Sequence, residues 1–139
     1  MDFCDKTKLL QIATALTEAL ANAVDHGNLE LDSSLRDSGD NIWTRLGDER
    51  KGQRPYCDRR VYVTYRLTPS QATFVVRDEG PGFDPSTLPD PTDPENLLKP
   101  SGRGILLIRT FLDEVRFNES GNQITMVKHR TGQSVGGLR

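Results

Sequence analysis

The stretch VYVTYRLTPSQATFVVRDEGPGF, residues 61–83, decides the architecture. Val61 to Leu67 is a run of β-branched and aromatic residues, which predicts a strand. Pro69 and Ser70 mark a turn, and Ala72 to Arg77 reads as the hairpin partner of the first run. The second strand runs directly into Asp78-Glu79-Gly80-Pro81-Gly82-Phe83. There, two glycines around a proline let the backbone turn sharply and approach a ligand closely.

Working outward toward the N-terminus, residues 29–58 carry scattered charge with Gly39, Gly47, Gly52 and Pro55. They predict a polar, partly helical insertion around Ile42, Trp43 and Leu46. Before it, Leu9, Ile12, Ala13, Leu16, Leu20, Ala23 and Val24 recur at helical spacing. One amphipathic helix is expected from about Lys8 to His26, stopped by Gly27 and Asn28.

Toward the C-terminus, residues 79–103 hold six of the chain's eight prolines. A loop of about twenty residues inside a compact domain is usually functional or disordered, and flanking glycine motifs favour function here. Ile105, Leu106, Ile108 and Leu112 predict a second helix from Gly104. Residues 115–117 and 124–127 predict two more strands, turned by Gly121-Asn122, with a frayed tail from Arg130. The order is helix, insertion, hairpin, loop, helix, hairpin. It implies an α+β two-layer sandwich, with helices on one face of a mainly antiparallel mixed sheet. At 139 residues, a single domain spanning 1–139 is expected.

Composition narrows the function classes. The chain is 35% hydrophobic and 27% charged, ordinary values for a globular protein, and its formal charge is −2. That balance gives no global drive toward nucleic acid or an anionic membrane. No apolar run approaches the ~20 residues of a membrane span, and no signal-peptide pattern opens the chain, so a cytoplasmic location is expected. Cys4 and Cys57 lack metal-ligand spacing and a disulfide framework, and His26 and His129 are too scattered for a zinc site.

Three short features carry candidate chemistry. On the first helix Glu18 and Asn22 are i,i+4 neighbours, and Asp25 and His26 continue that side. Glu18 lies about 180° from Leu9 around the helix, opposite the expected core stripe. It is also the sole charged residue between Ile12 and Val24, so a second packing partner is expected over this face. Asp78 ends its strand beside Gly80 and Gly82, and a carboxylate there can accept a hydrogen bond from an amino group such as that of adenine. Ser101-Gly102-Arg103-Gly104-Ile105 opens the second helix, where free N–H groups and the helix dipole suit phosphate.

Taken in order, Glu18-Ala19-Leu20-Ala21-Asn22-Ala23 with His26-Gly27, then Asp78-Glu79-Gly80-Pro81-Gly82, then Gly102-Arg103-Gly104 resembles the N, G1 and G2 boxes of the GHKL ATPase superfamily. The match runs from about residue 8 to residue 128. Glu18, four residues before Asn22, and His26-Gly27 tilt the likeness toward the anti-sigma-factor serine kinases rather than the sensor histidine kinases. The resemblance implies a Bergerat-type ATP-binding fold with ATP and Mg²⁺ as ligands. Asn22 would hold the metal, and Asp78 would select adenine between Gly80 and Gly82. His26 would belong to the nucleotide site, and Gly102, Arg103, Gly104 and Ile105 would wrap the phosphates. Residues 84–101 would form the ATP lid, and Glu18 would act as catalytic base toward a substrate serine.

The implied function is an ATP-dependent protein serine/threonine kinase that phosphorylates a small anti-sigma antagonist in bacterial partner switching. A sigma factor is a further implied partner, and a homodimer is a possible assembly. Three features differ from the family pattern: little chain precedes the first helix, Pro100 stands before Ser101, and Gly121-Asn122-Gln123 lies in the last hairpin. They keep two alternatives open, a nucleotide-regulated binding module without efficient phosphotransfer and a histidine-kinase-type catalytic domain.

Overall fold

The computed structural model describes residues 5–32, 34–35, 41–88 and 103–130. Helix α1 spans Lys6–Asn22 and begins at Asp5, whose side chain accepts the Thr7 N–H at 2.8 Å and so caps the first turn. Its path does not stop at Gly27. It continues as one π-helical turn, Ala23–Asn28, closed by the Leu29 N–H on the Val24 carbonyl at 2.9 Å. Helix α2, Ile42–Arg50, is the helical part of the insertion, and α3 spans Arg103–Phe111.

Strands β1 (Tyr62–Leu67), β2 (Gln71–Arg77), β3 (Glu114–Phe117) and β4 (Gln123–His129) form one sheet in the order β1-β2-β4-β3. Each pair of neighbours is antiparallel, and the parallel member of a mixed sheet is not among the described residues. Register aligns Val63 with Val76, Val76 with Ile124, and Ile124 with Phe117. Because side chains alternate along a strand, these residues share the face that meets the helices. Val76, Ile124 and Met126 from that face join Ala15, Ala19 and Ala23 of the first helical stretch and Ile108 and Leu112 at α3 to make the core.

Lys128 fastens the two layers. It is buried, and its Nζ donates to Gln11 Oε1 at 3.0 Å and to the Phe111 carbonyl at 2.7 Å. A cation at the last turn of α3 satisfies an orphan carbonyl and complements the helix dipole. Burial pushes the Lys128 ammonium below its usual range, and Asp113 nearby opposes that shift.

The helical period of α1 is as expected, but its buried face is rotated. Ile12, Ala15, Ala19 and Ala23 point inward, whereas Leu9 is 48% exposed and Leu20 and Val24 also face solvent. The stripe turns by roughly 70°, at ~100° per residue, away from the larger side chains. Alanines permit α3 to pack closely, and hydrophobicity alone does not register that preference. All of β1 is exposed, although Val63, Tyr65 and Leu67 lie on the helix-facing side. Among the described residues no helix covers them.

The expected lid is described at its start, where Asp84 caps a short 3₁₀ turn, Pro85–Thr87. Residues 89–102, and with them most of that lid, lie outside the described residues, as does the tail from 131.

The close approach of α1 and α3 predicts a test of packing. Ala15, 1% exposed, has no room to grow, so Ala15→Leu should lower unfolding free energy by about 1–3 kcal/mol. The exposed Leu10→Ser should change it by less than about 0.5 kcal/mol. Chemical denaturation monitored by Trp43 fluorescence or circular dichroism measures both.

Candidate functional site

A cavity of about 390 Å³ opens between the C-terminal half of α1, the start of α3 and the ends of β2 and β4. Glu18, Asn22, His26, Asp78, Gly104 and Ile105 all line it. Residues from three separate sequence features therefore face one space. Val76 and Ile124 supply an apolar floor, and Phe83 meets Phe117 edge to face at 5.2 Å beside it.

Glu18 and Asn22 come together because they are one helical turn apart on the α1 flank that faces α3. Gly104 in the first turn of α3 sits against both. A Cβ added there would lie 2.7 Å from Glu18 Oε1 and 3.4 Å from Asn22 Nδ2. The partner expected over the Glu18 face is thus α3 itself. Among the described residues no three His, Cys, Asp or Glu side chains gather into a metal cage. One amide oxygen beside a carboxylate instead suits a hard cation that takes its other ligands from water and phosphate.

Asp78 is held from several sides. Its N–H donates to the Asn122 carbonyl at 2.9 Å, and its Oδ1 accepts the Gly80 N–H at 2.8 Å. No described residue donates to Oδ2, which leaves an acceptor for an amino group at the cavity wall. The side chain is buried, and that burial raises its pKa above the usual carboxylate value. The Gly80 hydrogen bond and the Arg59 charge offset part of the rise. Glu79 turns the other way, accepting the Arg60 N–H at 2.7 Å and the Tyr62 hydroxyl at 3.4 Å.

Glycine is required where these backbones meet. A Cβ on Gly27 would collide with the Asp78 carboxylate, and one on Gly80 would collide with the Gly27 carbonyl. Gly80 therefore stands behind Asp78 rather than lining the cavity. Gly82 and Gly121 have φ of +77° and +75°, and each packs on the other's turn, near Ser120 and Phe83 respectively. Both lie in the left-handed region that side chains disfavour.

His26 reaches the cavity wall while its Nδ1 lies 2.7 Å from the Leu31 carbonyl, which makes that nitrogen the donor. Its ring meets Trp43 of α2 edge-on at 5.4 Å. Ser101 and Gly102 lie outside the described residues, and Arg103 begins α3.

The packing roles of two residues were hidden in the sequence. Gly27 and Asn28 read as a helix stop, yet Gly27 is the surface against which Asp78 rests, and Asn28 is buried with its Oδ1 accepting the Glu79 N–H. A polar residue directly after a glycine at a helix end was the available signal.

The sequence pattern of the histidine kinase-like ATPase domain matches residues 2–128. The anti-sigma F factor of Bacillus velezensis is 27% identical over 129 residues, covering 88% of this chain and 70% of that protein. The anti-sigma F factor of Bacillus subtilis is 26% identical over 129 residues, with the same coverage. No solved structure matches the chain significantly. Since the match takes in nearly the whole chain, including each cavity-lining residue named above, the protein belongs to the histidine kinase-like ATPase domain family.

Proposed function

We propose that the protein is an ATP- and Mg²⁺-dependent protein serine/threonine kinase of the anti-sigma type, acting on a small protein antagonist. The observation that carries this reading is the placement of Glu18 beside Asn22 at the mouth of α3, in the cavity that also holds Asp78. The likeness to two anti-sigma F factors supports the choice of substrate class.

Each side chain then has a distinct task. Asp78 Oδ2 accepts a hydrogen bond from the adenine amino group, Gly82 lets the backbone close around the base, and Gly80 shapes the pocket from behind Asp78. Asn22 would hold the metal through its amide oxygen. Mg²⁺, when bound, neutralises phosphate charge and aligns the terminal phosphoryl group. Gly104 and Ile105 present the first turn of α3 toward the phosphates, where N–H groups and the helix dipole favour negative charge. Arg103 and Gly102 belong to the same phosphate segment, and His26 borders the nucleotide.

Glu18 is the base. As the serine oxygen bonds to the γ-phosphorus, the bond from that phosphorus to the β,γ-bridging oxygen breaks and ADP leaves. The hydroxyl proton passes to the Glu18 carboxylate. Positioning and charge neutralisation carry most of such a transfer, with a base adding its share.

Two predictions follow from this assignment. Glu18→Ala should slow single-turnover phosphotransfer about 10²–10⁴-fold while ATP affinity stays near that of wild type. Asn22→Ala should lose both transfer and the Mg²⁺-dependent part of nucleotide binding. Labelled ATP with candidate antagonist proteins measures transfer, and calorimetry measures affinity. A wild type that binds ATP but transfers phosphate to none of them would leave a nucleotide-regulated binder.

A further prediction concerns Asp78. Burial raises its folded-state pKa, so its ionised form is a cost to the fold at neutral pH, relieved as pH falls through that pKa toward the unfolded value. Asp78→Asn keeps an oxygen for the Gly80 N–H and removes the buried charge. The ligand-free variant should be at least as heat-stable as wild type at pH 7, with any advantage shrinking on acidification. Its ATP affinity should fall by about tenfold or more. Scanning fluorimetry across pH, with calorimetry alongside, reads both effects.

A further inference from the structure

The segment between α1 and β1 grips the backbone that leads into the cavity. Asn28 is 5% exposed and ends the π turn, and its Oδ1 accepts the Glu79 N–H at 2.7 Å. Its carbonyl accepts from Arg59 Nη1 at 2.8 Å, and the same nitrogen lies 2.7 Å from Glu30 Oε2. Arg50, the last residue of α2, donates from Nη1 to the carbonyls of Leu29 and Glu30, both at 2.8 Å. Tyr56 takes both guanidinium groups over its ring, at 4.9 and 5.4 Å. Three consecutive carbonyls, from residue 28 to residue 30, are therefore held by two arginines that the chain supplies later. Glu30 itself sits at φ 53°, a left-handed conformation that a non-glycine residue keeps only when its surroundings hold it.

We propose that Asn28, held by Arg59 directly and by Arg50 through the next two carbonyls, is a positioning residue for Asp78, and that the segment carrying Arg50, Tyr56 and Arg59 is the clasp supplying the lock. This rests on reading Asp78 as the partner of the adenine amino group. The peptide groups on both sides of Asp78 are fixed: the Asp78 N–H is on the Asn122 carbonyl, and the Glu79 N–H is on Asn28. With both N–H groups committed and Gly27 against the carboxylate, Asp78 has one direction left, into the cavity. Arg59 contributes a positive charge that favours the ionised form of Asp78 against its burial. The clasp thus sets base selection without touching the nucleotide.

The readout that separates positioning from general stability is the affinity ratio between ATP and inosine triphosphate, which carries a carbonyl where adenine has its amino group. Calorimetry on the full chain should show wild type favouring ATP by on the order of 100-fold. Asn28→Ala should lower that ratio by about tenfold, chiefly through weaker ATP binding, because the lost hydrogen bond frees the peptide that aims Asp78. Asn28→Asp keeps the acceptor and should restore most of the ratio. Arg59→Met should lower the ratio in the same direction and carries the test if Asn28→Ala does not fold. Arg54→Ala, at an exposed pair with Asp58 in the same segment, should leave it unchanged. If the variants bind both nucleotides more weakly by equal factors, Asn28 is merely structural and the proposal is overturned. A wild type that discriminates, with Asn28→Ala and Arg59→Met discriminating equally well, overturns the clasp alone. A wild type that binds both nucleotides equally overturns the adenine role of Asp78 and the clasp with it.

Discussion

The turn after α1 and the turn after β2 touch with no space for a side chain between them. Gly27 lies against the Asp78 carboxylate, and Gly80 lies against the Gly27 carbonyl. This double contact fixes the height of the helix layer over the sheet at the cavity. It brings Asn22 and Glu18, one and two turns back along α1, to the same rim as Asp78. The π turn contributes to this fit. An extra residue in the last turn redirects the chain so that Gly27 and Asn28, rather than bulkier neighbours, meet the strand end.

That contact buries a carboxylate, which is unfavourable unless the group is hydrogen-bonded or near opposite charge. The fold answers with the Gly80 N–H and with Arg59, yet burial still dominates the shift. A residue kept in a costly state at a cavity wall is the pattern expected where binding, not stability, decides the side chain. Lys128 shows the opposite arrangement. It is also buried, but both of its named acceptors hold the helices to the sheet, far along β4 from the cavity. One buried charge lies at the cavity wall, and the other ties the helices to the sheet.

The strands, both main helices and the order of the motifs were legible in the sequence because they depend on period and on turn residues. The runs on either side of the turn are rich in β-branched and aromatic residues, and Pro69-Ser70 leaves a single sensible turn. The buried face of α1 was not legible, because the choice between leucines and alanines is made by α3, more than eighty residues later. Glu18, Asn22, Asp78 and Gly104 could be gathered by resemblance and then found facing one cavity. Asn28 could not, since its importance comes from a partner fifty-one residues away. Nor could Arg50 and Arg59, which act on backbone carbonyls and leave no pattern in spacing.

Helix α1 has to satisfy three surfaces at once, and this explains its composition. Its inward stripe must be small, because α3 approaches until Gly104 rests beside Glu18. One flank then becomes the cavity rim and carries the polar pair Glu18 and Asn22. The other flank, with Leu9, Leu20 and Val24, keeps the larger apolar side chains. A helix designed only for a core would put those leucines inward and hold α3 farther away. The first turn of α3 would then move off the Glu18–Asn22 rim, and the three sequence features would no longer share a cavity. The alanine stripe is therefore a requirement of the site expressed through packing.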